Sequence, residues 1–223
     1  EGIKSVSLSA NWMWPCKNSG EDARLYDAVQ ACSDFACELG INIPTGKDSL
    51  SMTQKYGENK VYAPGTVIIS AAGEVRNIRR VSSPVLKHKS SKLIYINFSK
   101  DALKLGGSAF AQALNRIGHD APTVTDAAYF AKAFNAVQKL LERNLILAQH
   151  DVSAGGLITA LLEMCFANVK GGLEIDLSCF SDADMVHAMF AENPAVILQV
   201  SDAKMSLVED VLNSALVEYK VIG

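Results

Sequence analysis

The sequence predicts an α+β fold in which helices cover a mixed sheet in layers. The first reason is that the later part of the chain alternates short apolar runs with segments of helical periodicity. The second is that 223 residues, 49% of them hydrophobic, suffice for a sizeable core in one large or two small domains. The third is a polar, serine-rich stretch with one proline, Arg79 to Lys92, which is the best candidate for a linker.

Composition excludes several classes of protein. The net charge is −3 and charged runs are short, which predicts neither a nucleic-acid partner nor a membrane surface. No apolar run reaches the roughly 18–20 residues of a transmembrane helix, and the N-terminus lacks the pattern of a signal peptide. The five cysteines show no C-x-x-C spacing, so reduced thiols in a cytoplasmic protein are expected. Because no initiator Met is present, the chain is expected to be a piece of a longer protein.

In the first part, apolar residues recur at helical spacing from Glu21 onwards, and Gly40 stands where a helix would end. Residues 41–56 predict a strand-like run, a tight turn at Gly46 and a polar tail. Residues 66–70, "TVIIS", predict a strand because they are short and β-branched. The tryptophan-rich segment "SANWMWPC" is assigned to no element.

In the second part, strands and helices are expected in alternation, with Asp126 as the N-cap of the longest helix. Strands are expected at 91–98, 145–151, 172–177, 194–200 and 216–223, and helices at 106–118, 126–144, 155–168, 182–190 and 202–215.

The stretch "HDVSAGGL" carries the first candidate site, in a turn between a strand and a helix. A helix N-terminus suits anions, and Gly155 and Gly156 let a ligand approach the backbone. Asp151 is a candidate Mg²⁺ ligand, since Mg²⁺ prefers oxygen ligands and brings phosphates with it. Ser153 is a candidate donor to a phosphate oxygen. The alternative is that Ser153 only caps the helix and Asp151 is a turn residue.

A second glycine-opened helix follows the strand at 91–98. Gly106, Gly107 and Ser108 are candidate nucleotide contacts; the alternative is that Ser108 serves only as an N-cap. Two such helix starts in one domain favour an anion-binding face more than either does alone. Neither matches the glycine motifs of P-loop or dinucleotide-binding proteins.

Two further candidates are weaker. After the expected turn at Gly46, Lys47 is a candidate phosphate partner, Asp48 a candidate metal ligand and Ser49 a candidate substrate contact; an exposed turn of mixed charge is the alternative. His150 is a candidate general acid or base beside Asp151, and the sequence points to no other catalytic residue.

Six blocks of sequence, taken in order, resemble the formylglycinamide ribonucleotide amidotransferases in their long single-chain form. The blocks are "SANWMWPC", "GEDARLYDAVQA", "IPTGKDSLSM", "LGGSAFAQAL", "HDVSAGGLITALLEMCFAN" and "FAENPAVILQV". The resemblance implies a fold of the aminoimidazole ribonucleotide synthetase superfamily. Residues 1–84 are similar to part of an N-terminal-type subdomain, and residues 85–223 to a C-terminal-type subdomain, in the second half of the synthetase region.

The resemblance also implies an activity, that of an ATP-dependent C–N ligase in purine biosynthesis with glutamine as amido donor. Formylglycinamide ribonucleotide, glutamine and ATP yield formylglycinamidine ribonucleotide, glutamate, ADP and phosphate. ATP or ADP and Mg²⁺ are the implied cofactors. The implied partners are the remaining synthetase and glutaminase domains, so the chain alone is expected to be inactive and to self-associate through apolar surface.

By the same resemblance, Asp151 is a Mg²⁺ ligand at a nucleotide site and Ser153 contacts that nucleotide. Relatives often carry an arginine where this chain has Val152, and the remaining Mg²⁺ ligands are expected upstream of Glu1. Whether the nucleotide is turned over or is structural stays open. Other hypotheses are another enzyme of the superfamily, such as a selenophosphate synthetase or thiamine-phosphate kinase, and a nucleotide-binding scaffold or regulatory module without turnover.

Overall fold

The computed structural model of the chain describes residues 2–168, 171–180 and 184–223. The chain divides into two compact units, Glu1–Arg76 and Asn77–Gly223. The mixture of helices and sheets in these units confirms the predicted α+β class.

The first unit contains a mixed three-stranded sheet and a separate hairpin. The central strand β1 pairs in parallel with β2 and antiparallel with β5, in the order β2-β1-β5. Helix α1 connects β1 to β2, and β3 and β4 form the hairpin. The bounds are β1 (Ser7–Met13), α1 (Glu21–Leu39), β2 (Asn42–Ser49), β3 (Thr53–Tyr56), β4 (Asn59–Tyr62) and β5 (Thr66–Ala72).

Helix α1 was expected, and it ends as predicted. Gly40 adopts a left-handed conformation with φ 68°, and its N–H donates to the carbonyls of Ala36 and Cys37. Glycine suits this position because a Cβ atom disfavours the left-handed region. The tryptophan-rich segment, for which no element was predicted, supplies residues 9–13 of β1, and Trp14 directly after this strand is buried.

The predicted turn at Gly46 is wrong, because this residue lies within β2. It pairs with Ala10 of β1, and a Cβ atom at Gly46 would stand 2.0 Å from the Ala10 carbonyl oxygen. Glycine is therefore needed for close approach of two backbones and not for a change of direction. As a consequence Lys47, Asp48 and Ser49 lie on a strand and do not form a loop.

The second unit is built on a four-stranded antiparallel sheet with the order β7-β8-β6-β9. Its strands are β6 (Ser91–Asn97), β7 (Ala148–Val152), β8 (Ala195–Ser201) and β9 (Lys220–Val221). Its helices are α2 (Ala109–Ala113), α3 (Ala127–Glu142), α4 (Gly156–Cys165), α5 (Met185–Phe190) and α6 (Met205–Ser214).

Helices cover both faces of this sheet, which confirms the predicted layers. Along β6, Ile94 belongs to a buried cluster with side chains of α3 and α6. The next residue, Tyr95, belongs to a second cluster with side chains of α4 and α5. This alternation follows from the two-residue period of a strand. Within the described residues, no helix is both long and apolar enough to cross a membrane.

Several predicted bounds need correction. Strand β7 begins at Ala148, so the apolar residues 145–147 precede the strand and Asp151 lies inside it. Residues 172–177 form no strand, although the Asp176 N–H donates to the Ile222 carbonyl at 2.9 Å. Asp182 and Ala183, the first residues of a predicted helix, lie outside the described residues.

The polar stretch 79–92 is coil up to Ser91, where β6 begins. It is part of the second unit, in which the Gln149 N–H of β7 donates to the Ser83 carbonyl at 3.0 Å. A boundary at residue 84 remains our proposal for the domain limit.

Candidate functional site

The carboxylate of Asp151 lies near the end of β7 and is open to solvent. Asp151 pairs with Val196 of β8, and its side chain is 81% exposed. Ser153 follows the strand and is also exposed. The N-cap residue of α4 is Gly155, and no side chain caps this helix. The alternative that Ser153 caps α4 and Asp151 is a turn residue is therefore wrong.

The two glycines at the start of α4 are both in the left-handed region, with φ 89° at Gly155 and 72° at Gly156. A Cβ atom at Gly156 would stand 2.7 Å from the Met189 carbonyl oxygen of α5. At Gly155 it would stand 2.2 Å from the hydroxyl of Thr159, which itself donates to the Gly155 carbonyl. Both glycines are thus required by local packing.

The second glycine turn leads into α2. The Gly106 N–H donates to the Asp120 carbonyl at 3.0 Å, and Gly107 has φ 75° with open space beside its Cα. Ser108 is the N-cap of α2 and is 1% exposed. Its hydroxyl accepts from the Ala111 N–H and donates to the Leu105 carbonyl, so it is already engaged within the fold.

One carboxylate joins the two helix starts. Oε1 of Glu192 accepts from the Gly155 N–H at 2.8 Å and from the Ala109 N–H at 2.7 Å. Helix N-termini leave such N–H groups without partners inside the helix, and they carry the positive end of the dipole. The expectation that both glycine-opened helices face an anion is met by a side chain of the protein itself. Sequence reasoning missed Glu192, and an acid directly before Asn-Pro at a strand start gave no signal of this role.

Further contacts hold the two turns next to each other. Phe110 of α2 stacks on Phe190 of α5 with ring centroids 4.4 Å apart. The fully buried Asn193 donates to the Ser99 hydroxyl and to the Ala102 carbonyl, both at 3.0 Å. Glu192 therefore sits in a packed surrounding that fixes the position of its carboxylate.

His150 faces α4 and not solvent. Its Nε2 lies 3.0 Å from Oε2 of Glu163 on α4, and its Nδ1 lies 2.8 Å from the carbonyl oxygen of Asp151. Both contacts are hydrogen bonds only when both ring nitrogens carry hydrogen. This geometry supports a role for His150 in holding the end of β7 and gives no support to a direct catalytic role.

The loop before the glycine turn of α2 is held by Asp101. Its Oδ2 accepts from the Thr123 N–H at 3.0 Å and lies 3.0 Å from the Lys104 ammonium. Burial acts to raise the pKa of Asp101, but the hydrogen bonds from Thr123, Lys104 and Ala102 outweigh it and lower the pKa below its usual value. These contacts fix the loop that leads to Gly106.

The remaining candidates belong to the first unit. The Lys47 ammonium donates to the Ser49 hydroxyl at 2.8 Å on the exposed face of β2, and Asp48 is exposed next to them. The second unit holds the candidates around Asp151 and the two glycine turns.

A metal ion would find few ligands in the described part of the chain. No group of three or more His, Cys, Asp or Glu side chains there is arranged to hold one. Asp151 offers one exposed carboxylate. This suits Mg²⁺ when phosphate oxygens and water supply the other ligands, as is usual for this ion at nucleotide sites.

Comparison with known proteins gives matches over nearly the whole chain. Residues 1–74 match the FGAR-AT PurM_N-like domain, and residues 91–223 match the C-terminal domain of AIR synthase related proteins. A probable phosphoribosylformylglycinamidine synthase, chloroplastic/mitochondrial, of Arabidopsis thaliana is 37% identical over 99% of this chain. The phosphoribosylformylglycinamidine synthase of Homo sapiens is 38% identical over 92% of it. The chain spans 16% of the first relative and 15% of the second.

Solved structures agree on the fold. PurL of Thermotoga maritima complexed with ATP has a TM-score of 0.65 at 14% identity, covering 97% of this chain and 33% of that one. HypE of E. coli, a hydrogenase maturation protein, has a TM-score of 0.62 at 18% identity, covering 97% and 66%. The predicted resemblance to the formylglycinamide ribonucleotide amidotransferases is confirmed by the relatives and the domain matches. The match to the C-terminal domain of AIR synthase related proteins covers more than half of this chain, and the chain therefore belongs to that family.

Proposed function

We propose that the chain forms part of the synthetase region of a phosphoribosylformylglycinamidine synthase, an ATP-dependent C–N ligase. The observation that carries this proposal is the identity of 37–40% to relatives of that name, over 90–99% of the chain. The whole protein would convert formylglycinamide ribonucleotide, glutamine and ATP into formylglycinamidine ribonucleotide, glutamate, ADP and phosphate. Since the chain spans only about a sixth of these relatives, we propose that it is inactive without the remaining synthetase and glutaminase domains.

The end of β7 is the part of this chain that we propose to contact the nucleotide. Asp151 would hold Mg²⁺ together with phosphate oxygens, and the ion would offset phosphate charge. The exposed hydroxyl of Ser153 would donate to a phosphate oxygen. In support, PurL of Thermotoga maritima has been solved with ATP, AMPPCP and ADP, and both side chains here are open to solvent.

Glu192 limits how a phosphate can approach. The Gly155 N–H already donates to this carboxylate, and a phosphate at the same place would meet a like charge. The proposed contacts are therefore the side chains of Asp151 and Ser153 and the open side of Gly107. Gly106, Gly155 and Gly156 would shape the turns without touching the ligand.

The experiment replaces Asp151 by Asn in the intact protein that contains this chain. The amide keeps the shape and removes the charge opposite the metal, so Mg²⁺-dependent affinity for ADP should fall by at least tenfold, about 1.4 kcal/mol. Calorimetric titration of ADP with and without Mg²⁺ measures this change. The matched control is Asp210→Asn at an exposed position of α6. Unchanged affinity in the Asp151 variant would remove the metal-site proposal.

A nucleotide-binding scaffold without turnover is the second candidate. It is favoured by one observation, that no group of three or more His, Cys, Asp or Glu side chains among the described residues could hold a metal ion. The intact protein distinguishes the two: a scaffold keeps ADP through purification and does not exchange it during synthesis of the product, whereas a turnover site exchanges ADP at the rate of the reaction.

We further infer that the 223-residue chain, produced alone, associates with itself. Strand β5 lies at the edge of the first sheet, and its three consecutive residues Val67, Ile68 and Ile69 are exposed although they alternate between the two faces. Exposed apolar surface of this kind on a sheet edge promotes association. Sedimentation velocity should show dimers or larger species, and Ile68→Lys should shift them towards monomer. If the unsubstituted 223-residue chain sediments as a monomer, the inference is wrong.

The proposed location is the cytoplasm. All five cysteines are free thiols, as expected in a reducing compartment. An organelle is the alternative, since the Arabidopsis relative carries "chloroplastic/mitochondrial" in its name. Fractionation of cells expressing the tagged, intact protein decides between these locations.

A further inference from the structure

A small cavity of about 160 Å³ lies in the second unit, beside the C-terminal end of α3 and the residues that lead into β7. One wall comes from the segment 79–83, and the other from residues 141–147. Side chains from the two walls and from Lys87 line it, among them Arg79, Arg80, Ser82 and Asn144. None of these residues belongs to the candidate nucleotide site.

The lining is strongly basic. Arg79, Arg80 and Lys87 contribute three positive charges, and the described residues that line the cavity include no Asp or Glu. All three side chains are exposed, and an anion that binds among them is attracted by each of the three charges. The whole chain has a net charge of −3, so this concentration of positive charge is local.

Several backbone acceptors around the cavity already have partners. At the end of α3, the carbonyls of residues 139, 140 and 141 accept from the N–H groups of residues 143, 145 and 144. The Glu142 carbonyl accepts from Nη1 of Arg80 at 2.9 Å, and the Asn144 carbonyl from the Lys204 ammonium at 2.6 Å. One of the five N–H groups of Arg80 is therefore engaged in this bond. The other N–H groups of Arg80 can donate to a ligand that brings acceptors.

A buried hydroxyl points to the same conclusion. Oγ of Ser82 is shielded from solvent and has no hydrogen-bond partner. An unsatisfied buried hydroxyl is unfavourable, and an acceptor atom of a ligand would satisfy it.

The walls are preformed. The side chain of Gln199, which is 4% exposed, forms two hydrogen bonds with the backbone of Lys87. Its Oε1 accepts from the Lys87 N–H at 2.8 Å, and its Nε2 donates to the Lys87 carbonyl at 2.9 Å. The Ser83 carbonyl accepts from the Gln149 N–H of β7. Because these bonds hold both sides of the segment, little ordering is needed when a ligand binds.

Size limits the ligand. Pockets for drug-sized molecules usually measure about 300–1,000 Å³, so this cavity admits a small ion or the end group of a larger ligand. Leu147 borders the cavity, and Asp151 lies four strand residues further along, roughly 13 Å at 3.3 Å per residue. The cavity and the proposed nucleotide site are thus separate.

We propose that this cavity binds a phosphate group, as the free ion or as the terminal group of a phosphate ester. Arg79, Arg80 and Lys87 supply the charge, and Ser82 supplies a hydroxyl donor. Arginine recognises phosphate in a bidentate manner, and lysine acts as a point charge.

The test is calorimetric titration of inorganic phosphate into the intact protein, with ADP and Mg²⁺ present in excess to fill the nucleotide site. Lys87→Met and Arg79→Gln should each weaken binding at least about tenfold, as expected for loss of one charged hydrogen bond. Lys132→Met, at an exposed position of α3 away from the cavity, is the matched control and should bind as the parent does. Ser82→Ala should weaken phosphate binding without lowering the unfolding temperature, because it removes an unpaired buried hydroxyl.

A second titration separates the two sources of the phosphate group. Ribose 5-phosphate that competes with inorganic phosphate assigns the cavity to an ester, and failure to compete assigns it to the free ion. Absence of phosphate binding at millimolar concentrations overturns the proposal. So does binding that both the Lys87 and the Arg79 variant retain in full.

Discussion

The two glycine turns of the second unit look alike in sequence and differ in what they leave free. Each turn comes after a strand of the sheet, contains two glycines and a serine, and leads into a helix. At α2, Ser108 is buried and its hydroxyl makes two bonds within the fold. At α4, Ser153 lies two residues before the N-cap and is exposed. The first serine stabilises a helix, and the second remains available to a ligand.

The position of a serine relative to the N-cap decides whether its hydroxyl caps the helix or stays open to a ligand. A serine at the N-cap reaches the N–H groups of its own helix, which consumes its hydroxyl. A serine further upstream cannot reach them, and at α4 the Glu192 carboxylate takes over this role. The same carboxylate serves Ala109 of α2, so one acid substitutes for a missing cap and reinforces an existing one.

The largest expected effect concerns the glycines themselves. Gly156→Ala places a Cβ atom 2.7 Å from backbone atoms of α5 and forces a left-handed residue, which should lower the free energy of unfolding by about 4 kcal/mol. At Gly107 no atom lies within 4 Å of an added Cβ, so Gly107→Ala has only the cost of a left-handed backbone. It should lower the free energy of unfolding by about 1 kcal/mol. Urea unfolding followed by circular dichroism measures both. Equal losses would mean that packing against α5 does not distinguish the turns.

The second prediction concerns the acid that links them. Glu192→Ala removes the acceptor of two N–H groups and should lower the free energy of unfolding by about 3 kcal/mol. Glu192→Gln retains an acceptor oxygen without the charge and should recover about half of that loss. Thermal and urea unfolding of the two variants give the ranking. If Gln is as damaging as Ala, charge at the helix starts and not hydrogen bonding is what matters.

The smallest effect separates the two serines. Ser108→Ala removes an N-cap and should cost about 1 kcal/mol of stability while ADP affinity stays the same. Ser153→Ala should leave the unfolding transition in place and weaken ADP binding by a few-fold, as for one hydrogen bond of about 1 kcal/mol. Both variants are measured by thermal unfolding and by ADP titration in the intact protein. A stability loss at Ser153 would show that it supports the fold after all.

Regular elements with strong periodicity could be predicted from the sequence. Helices α1, α3 and α4 and the N-cap at Asp126 lie where apolar spacing and cap residues placed them, because these signals are local. Residues 172–177 were predicted as a strand but form none, since a short apolar run does not reveal whether a partner strand is available. Strand β1 was missed for the opposite reason: its pairing with β2 and β5 supplies what its own sequence does not show.

The candidate site was predictable in part. The glycines at both helix starts were found, and three of them, Gly107, Gly155 and Gly156, are in the left-handed region that favours glycine. Two errors came from long-range contacts. Gly46 was read as a turn because its close partner, Ala10, lies far away in sequence. Glu192 was overlooked because its partners Ala109 and Gly155 come together with it only in the folded chain.

The two bonds of Glu192 also set an order of events during protein synthesis. Ala109 precedes its partner by 83 residues and Gly155 by 37. At the usual rates of about 5–20 residues per second, the N–H of Ala109 waits roughly 4–17 s for this carboxylate to be made, and that of Gly155 roughly 2–7 s. Throughout this interval the start of each helix lacks its acidic partner on a nascent chain. A ribosome that stalls before the codon of Glu192 would leave both glycine turns without the residue that joins them.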